Sequence, residues 1–294
     1  MTLDGIERYP RSKDAVPSFR EAFRHYVLPP YIPPKPIFSR SDAIVTQGSC
    51  FAANVAKTMT AIGVKAYWLE IQEVMNSPLA NRTYLEYLLT GKPITIKNHK
   101  IGLQSVVGVQ ALVDFKSALE SAAGFVFTAG LAYCWFAEDG EFQLVGVKGV
   151  PGKAVLTTTD QNQEHIEAII SMVRAVNPAI KIILTVSPIP LTRAPGQGSA
   201  FTADCLSKST LRVAVNQVMA QKIPDVYYWP SFDAIRWLSG HVGPLFGVEG
   251  EDQRHPGQSY IDEILGAFVE HFFLPVRGRG LIRILASRLC PSMG

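Results

Sequence analysis

The chain is poor in cysteine: four among 294 residues, at positions 50, 134, 205 and 290. Cysteines so sparse and so far apart make no disulfide framework and read as free thiols of a reducing compartment. The six histidines are scattered, and no His/Cys cluster has zinc-ligand spacing. The sequence therefore calls for no metal or redox cofactor. Charge is scarce too: 18% of residues are Asp, Glu, Lys or Arg, and the net charge is +3. That balance is too mild for a nucleic-acid partner, and no basic, aromatic-interleaved patch argues otherwise. No uninterrupted apolar run reaches the ~18 residues that suggest a membrane span. Residues Met1 to Arg8 carry no apolar signal core. A cytoplasmic location is the expectation, and no internal repeat is visible.

Apolar residues are not scarce. At 47% of the chain they suffice for a substantial core. From residue 43 onward, strand-like and helix-like runs alternate. Residues 43–47, 124–129, 180–186 and 225–229 are short, apolar and rich in β-branched or aromatic side chains, as buried parallel strands should be. Residues 51–62, 79–90, 162–176, 205–221 and 257–272 read as helices. In the third of these, Ile166, Ile169, Ile170 and Val173 recur at helical spacing before Asn177-Pro178 ends the run. Such alternation predicts an α/β fold, a three-layer α/β/α sandwich around a mainly parallel sheet. Active residues in such a fold gather beyond the carboxyl ends of strands.

Three segments are expected: a proline-rich arm over 1–40, a main domain over 41–275 and a basic tail over 276–294. Pro29-Pro30-Tyr31-Ile32-Pro33-Pro34-Lys35-Pro36 excludes helix and central strand, because proline fixes φ and lacks the N–H. It reads as a packed, extended strap. The tail, Arg277 to Leu289, is basic and partly amphipathic, which leaves open a peripheral contact with an anionic membrane surface. Residues 92–118 and 139–157 fit no strong pattern and read as extra strands or loops over the site.

The most informative stretch is Gly48-Ser49-Cys50-Phe51-Ala52, set between the strand-like Ala43-Ile44-Val45-Thr46 and a helix-like run. Glycine permits a tight turn. The helix start aims backbone N–H groups and the positive dipole end at the following side chain. That field lowers a thiol pKa and can stabilise an oxyanion. About two hundred residues later comes Asp252-Gln253-Arg254-His255-Pro256. A histidine can take a proton at neutral pH, and a carboxylate on its other nitrogen fixes the tautomer.

These blocks resemble the GSCFA family, a branch of the SGNH/GDSL-like hydrolases. The superfamily's first block is Gly-Asp-Ser-Leu and its last is Asp-x-x-His. Laid over it, Cys50 takes the place of the nucleophilic serine, His255 that of the base and Asp252 that of the orienting acid. Further segments resemble the family: Val126 to Ala132, Lys181 to Pro188, Leu206 to Arg212 and Tyr228 to Asp233. The third block here is Gly130-Leu131-Ala132, without the asparagine that completes the oxyanion hole in better-known relatives. Gly48, Ser49, Gly130, Ser187 and either Asn76 or Asn81 are then the candidate oxyanion or substrate groups. Ile189-Pro190-Leu191 stands where many relatives carry Val-Arg-His, so no role of that basic pair carries over.

Several alternatives stay open. Ser49 is favoured as a helix N-cap but is the other candidate nucleophile. Ser207-Lys208 reads equally as a substrate group or a solvated helix start. Cys134 and Cys205 read as structural. Trp229, Phe232 and Trp237 read as aromatic core before sugar platform. The resemblance implies an ester hydrolase acting on acylated carbohydrate through a Cys-His-Asp triad. An O-acyltransferase using acetyl-CoA or another acyl donor, and an inactive sugar- or partner-binding module, are the alternatives.

Overall fold

The computed structural model describes residues 9–69, 75–91, 94–96, 99–101, 109–138, 140, 142–143, 152–194, 196 and 198–275. Five parallel strands form the central sheet: β1 (Ala43–Gly48), β2 (Lys65–Leu69), β3 (Gly124–Ala129), β4 (Lys181–Val186) and β5 (Val226–Trp229). Their spatial order is β2-β1-β3-β4-β5. This is a doubly wound sheet, and the chain reverses its direction of travel between β1 and β3. Among the described residues, the helices from Cys50 onward are α1 (Cys50–Ala61), α2 (Pro78–Thr90), α3 (Val109–Ser121), α4 (Thr159–Val176), α5 (Ala200–Ala220), α6 (Ser231–Leu238) and α7 (Gln258–Phe272).

Strand alternation explains the layers. Val45, Phe125, Phe127, Ile182, Leu184 and Tyr228 pack against α2, α3, α4 and α5. Their neighbours Ile44, Val126, Ile183 and Trp229 pack on the other face against α1, α6 and α7. Successive side chains of a strand point to opposite faces, so a strand apolar at every position must be covered on both. The expected three-layer sandwich is what forms.

Some elements differ from expectation. The edge strand β2 and helix α6 were not anticipated, and α3 is a helix where extra strands or loops were expected; the strands at 142–143 and 152–156 lie in the stretch read as extra strands or loops, and they pair with 133–137 in a side sheet. The arm is not wholly extended. Residues Phe19–Ala22 form a helical turn, Phe23–Val27 continue it as a π-turn, and Pro29–Tyr31 form a 3-10 turn. Proline supports the first turn of a helix, where its missing N–H has no partner to lose. Val16, Phe19, Phe23, Leu28 and Phe38 bury themselves in the same cluster as α7. Phe38 pairs with Phe273 in a parallel bridge, so the arm is tied to the end of α7. The basic tail, Cys290 and the rest of 276–294 lie outside the described residues. Among the described residues, no helix is long and apolar enough to cross a membrane.

Candidate active site

The site begins with a steric demand. Gly48 ends β1 at φ +120°, and a Cβ there would lie 2.1 Å from the Thr128 carbonyl oxygen of β3. Only glycine lets the chain turn this close to a neighbouring backbone. The Ser49 amide then donates to that carbonyl at 3.1 Å. Ser49 caps α1, its Oγ accepting from the Phe51 amide at 3.3 Å. Cys50, the first residue of α1, is exposed at the positive end of the helix dipole. It stands beyond the carboxyl end of β1, beside the β1/β3 reversal where such sheets open a crevice.

A small, shallow cleft occupies that place. Ser49, Cys50, Asn76, Gly130, Ser187 and Lys208 line it, with Leu131, Ile189, Pro190 and Leu191 as apolar wall. Asn76 is central to its construction. Its backbone carbonyl accepts from the amides of Gly130 at 3.0 Å and Leu131 at 3.2 Å. A Cβ on Gly130 would lie 2.7 Å from the Asn76 Cβ and 3.1 Å from that of Ser49, so Gly130 is the space that lets these segments meet. Gly130, a candidate oxyanion or substrate group, lines the cleft, but its own amide is donated to the Asn76 carbonyl. The Asn76 side chain lies against the cleft, 2% exposed, and its Oδ1 has no hydrogen-bond partner among the described residues. Oxygen and nitrogen of such an amide are interchangeable by a flip, so the group can present either an acceptor or a donor.

Asn81 does not line the cleft. It is fully buried, its Nδ2 donating to the Ser77 carbonyl and its Oδ1 accepting from Gln47 Nε2, which ties α2 to β1. Ser187 lines the cleft, with its amide on the Ala129 carbonyl at 2.9 Å and its Oγ accepting from the Ile189 amide. Ser207 and Lys208 of α5 are buried and not a solvated helix start. Ser207 Oγ accepts from the Ala132 amide at 2.8 Å, and Lys208 Nζ donates to the Gly130 carbonyl. One turn earlier, Asp204 accepts from the Leu191 amide at 3.0 Å and from Arg236 at 2.6 Å. Helix α5 thus holds both rims, 130–132 and 189–191.

Asp252 and His255 meet as expected. His255 Nδ1 lies 2.8 Å from Asp252 Oδ1, and the same oxygen accepts the amides of Arg254 at 2.8 Å and His255 at 3.1 Å. The Arg254 amide first, then the His255 side chain, hold the Asp252 carboxyl below the usual carboxylate range. With Nδ1–H committed to the carboxylate, Nε2 carries the lone pair of the neutral ring. The His255 side chain is 35% exposed and is not among the cleft-lining residues. What connects the two groups is Arg254, whose Nη2 reaches the Pro190 carbonyl on the cleft rim at 3.2 Å.

Residues 107–268, more than half of the chain, match the GSCFA family. The chain belongs to the GSCFA family. The matched span takes in Gly130, Ser187, Lys208 and the Asp252–His255 pair, while the Gly48–Ala52 turn lies before it. No curated protein matches the chain. Among solved structures, a GDSL-like lipase from Bacteroides thetaiotaomicron is 13% identical over 78% of this chain and 86% of its own, with TM-score 0.39. A family two carbohydrate esterase from Clostridium thermocellum is 15% identical over 81% of this chain and 65% of its own, with TM-score 0.39. A carbohydrate esterase family 3 protein from Talaromyces cellulolyticus is 12% identical over 85% of this chain and 99% of its own, with TM-score 0.36. Likenesses this remote add nothing to the strand order described above.

The remaining cysteines of the GSCFA chain contrast with Cys50. Cys134 is buried, donates to Ser77 Oγ at 3.2 Å, and burial pushes its thiol up to about 11. Cys205 is exposed on α5, away from the cleft-lining set. Trp229 and Phe232 are buried in the core, whereas Trp237 is 66% exposed. Among the described residues, no group of three or more His, Cys, Asp or Glu could hold a metal ion. Sequence reasoning left Lys208 undecided and gave Arg254 no role. The Leu-Ser-Lys segment was the available signal for the first.

Proposed function

We propose that the protein is an SGNH-type hydrolase of ester bonds with Cys50 as nucleophile. The observation that carries this reading is an exposed thiol at a helix N-terminus, in a cleft at the sheet's reversal point, with a buried side-chain amide on the same lining whose oxygen has no hydrogen-bond partner among the described residues. Helix N-termini favour thiolate, the reactive form. His255 Nε2 accepts the thiol proton as the Asp252–His255 loop closes on the rim through Arg254. The thiolate adds to the ester carbonyl. The resulting oxyanion is held by the flipped Asn76 amide and the backbone amide of Cys50 at the start of α1. The tetrahedral species collapses, His255 protonates the departing alkoxide, and an acyl thioester remains on Cys50. Water, deprotonated by His255, attacks the thioester and releases the acid.

The cleft's apolar wall and small volume suit a short acyl group, and an acetylated carbohydrate is the proposed substrate. No resident cofactor enters these steps, and the proposed location is cytoplasmic. If an acceptor hydroxyl replaces water, the same acyl-enzyme makes an O-acyltransferase, with acetyl-CoA or another acyl donor as co-substrate. One observation favours a different reading: His255 is not among the cleft-lining residues, as would suit a sugar- or partner-binding module without turnover.

Intact-protein mass after brief exposure to p-nitrophenyl acetate, and separately to acetyl-CoA, separates these. The hydrolase predicts an acetyl adduct from the ester that is absent in folded Cys50→Ala and retained in Ser49→Ala. A better yield from acetyl-CoA points to transfer. No adduct and no turnover from either donor, with sugar binding intact, leaves the binding module.

A further inference from the structure

Cys50 and Lys208 are the ionisable side chains among the residues that line the cleft. Lysine is among the residue types least often buried without a partner, yet Lys208 is 2% exposed. Its Nζ donates to the Gly130 carbonyl, in the turn that forms the cleft beside Cys50. Removal from water disfavours an ammonium, whereas a nearby anion and good acceptors favour it. A thiol and an ammonium on the lining of one cleft ionise together most favourably as thiolate and ammonium.

We infer that Lys208 holds the Cys50 thiol in its ionised form, making it the positioning and activating charge of the nucleophile. This rests on the reading of Cys50 as nucleophile. The charged groups that approach Cys50 from other elements are consistent with this division. Arg254 sits at the rim, bonded to the Pro190 carbonyl. His255 is bonded to Asp252 and serves the leaving group and the water. Along α1 itself, Lys57 interacts with Asp262 of α7. Lys65 begins β2, at the opposite end of that strand from the cleft. Lys208 is the cation within the cleft lining; the thiol proton still passes to His255 Nε2, which later gives it to the leaving group, and Lys208 stabilises the thiolate that remains.

The test is the pH dependence of alkylation by iodoacetamide, in which the thiolate displaces iodide and forms the S–C bond to acetamide. Peptide mass mapping follows Cys50, with free glutathione in the same sample as the reference thiol. Cys50 should reach half-maximal rate at least about one pH unit below glutathione. Lys208→Met should raise the Cys50 midpoint by about one unit or more, while Lys208→Arg keeps it low. A wild-type Cys50 midpoint equal to that of glutathione, or one unchanged in folded Lys208→Met, overturns the inference. If Lys208→Met does not fold, His255→Ala decides: a midpoint that stays low supports Lys208, and one that rises by a unit or more transfers the role to the histidine. Alkylation needs no turnover. A midpoint governed by Lys208 without any acyl adduct would therefore sink the hydrolase and keep this inference. An acyl adduct with an unmoved midpoint would do the reverse.

Discussion

Lys208 and Arg212 stand one turn apart on α5, and they serve two differently built polar clusters. Around Arg212 the bonds close on one another. Its Nε donates to Asp233 at 2.9 Å, its Nη2 donates to Tyr31 at 2.9 Å, and its guanidinium lies 4.4 Å from the Tyr228 ring centroid. Tyr228 in turn donates to the other Asp233 oxygen, and burial, then the Asp233 charge, hold that phenol protonated well above its ordinary range. Around Lys208 the pattern is open: an exposed thiol, an amide oxygen without a hydrogen-bond partner among the described residues, and a cleft that both line. A cluster that only supports the fold satisfies its polar groups. A cluster that must receive a substrate leaves hydrogen-bonding capacity for it, and accepts lower stability there.

The comparison can be broken most strongly at Arg212. Arg212→Ala strands a half-buried carboxylate and two phenols, and should cost about 3 kcal/mol of stability in chemical denaturation. The folded fraction should keep its turnover. Loss of turnover in protein that remains folded would show that the two clusters are one. Asn76→Ala should give the converse: a rate lower by about two orders of magnitude with a melting temperature close to wild type, because its side chain's Oδ1 has no hydrogen bond to lose among the described residues. A large drop in melting temperature would mean that Asn76 is structural. Ser49→Ala removes the α1 cap and should cost about 1 kcal/mol, with the acetyl adduct still forming on Cys50.

A fourth, smaller effect lies outside both clusters. Burial first, then the neighbouring Arg82 charge, bring His165 down to about 4. A histidine whose folded pKa is depressed binds fewer protons folded than unfolded. Its neutral form supports the fold above its unfolded pKa of about 6.5, and that support is lost as pH falls toward 4. Denaturation curves between pH 7 and pH 4 should show stability falling in wild type and falling less in His165→Gln. Equal slopes would remove His165 from the account.

The buried strands were legible because their apolar runs are local. Phe125, Val126 and Phe127, or Ile182, Ile183 and Leu184, announce themselves without any knowledge of neighbours. The edge strand β2 did not, because Lys65 and Trp68 face outward and only Leu69 is buried. Helix α6 follows Trp229 after a single proline, so its start merges with the end of a strand. In the arm, the prolines drew attention from Phe19, Phe23 and Phe38, which carry the packing. At the site the same rule holds. The turn at Cys50 and the Asp252–His255 pair are short-range patterns and could be read. The junction of Asn76 with Gly130 spans 54 positions along the chain, and its bond directions exist only in the fold. The burial of Lys208 likewise depends on what covers it, which one dimension does not contain.

The pairing of Phe38 with Phe273 gives the molecule a back and a front. The amides of Ile37 and Phe38 share the Phe272 carbonyl, and the Leu274 amide returns to Phe38. The Phe38 ring sits where a side chain on Gly124, at the start of β3, would have to go. Chain therefore enters and leaves the sandwich at one point on the amino edge of the sheet, while Cys50 lies beyond the carboxyl edge. The arm and the end of α7 are thus fastened to each other at the edge of the sheet away from the cleft, so a substitution that loosens this fastening acts on the fold before it acts on the site.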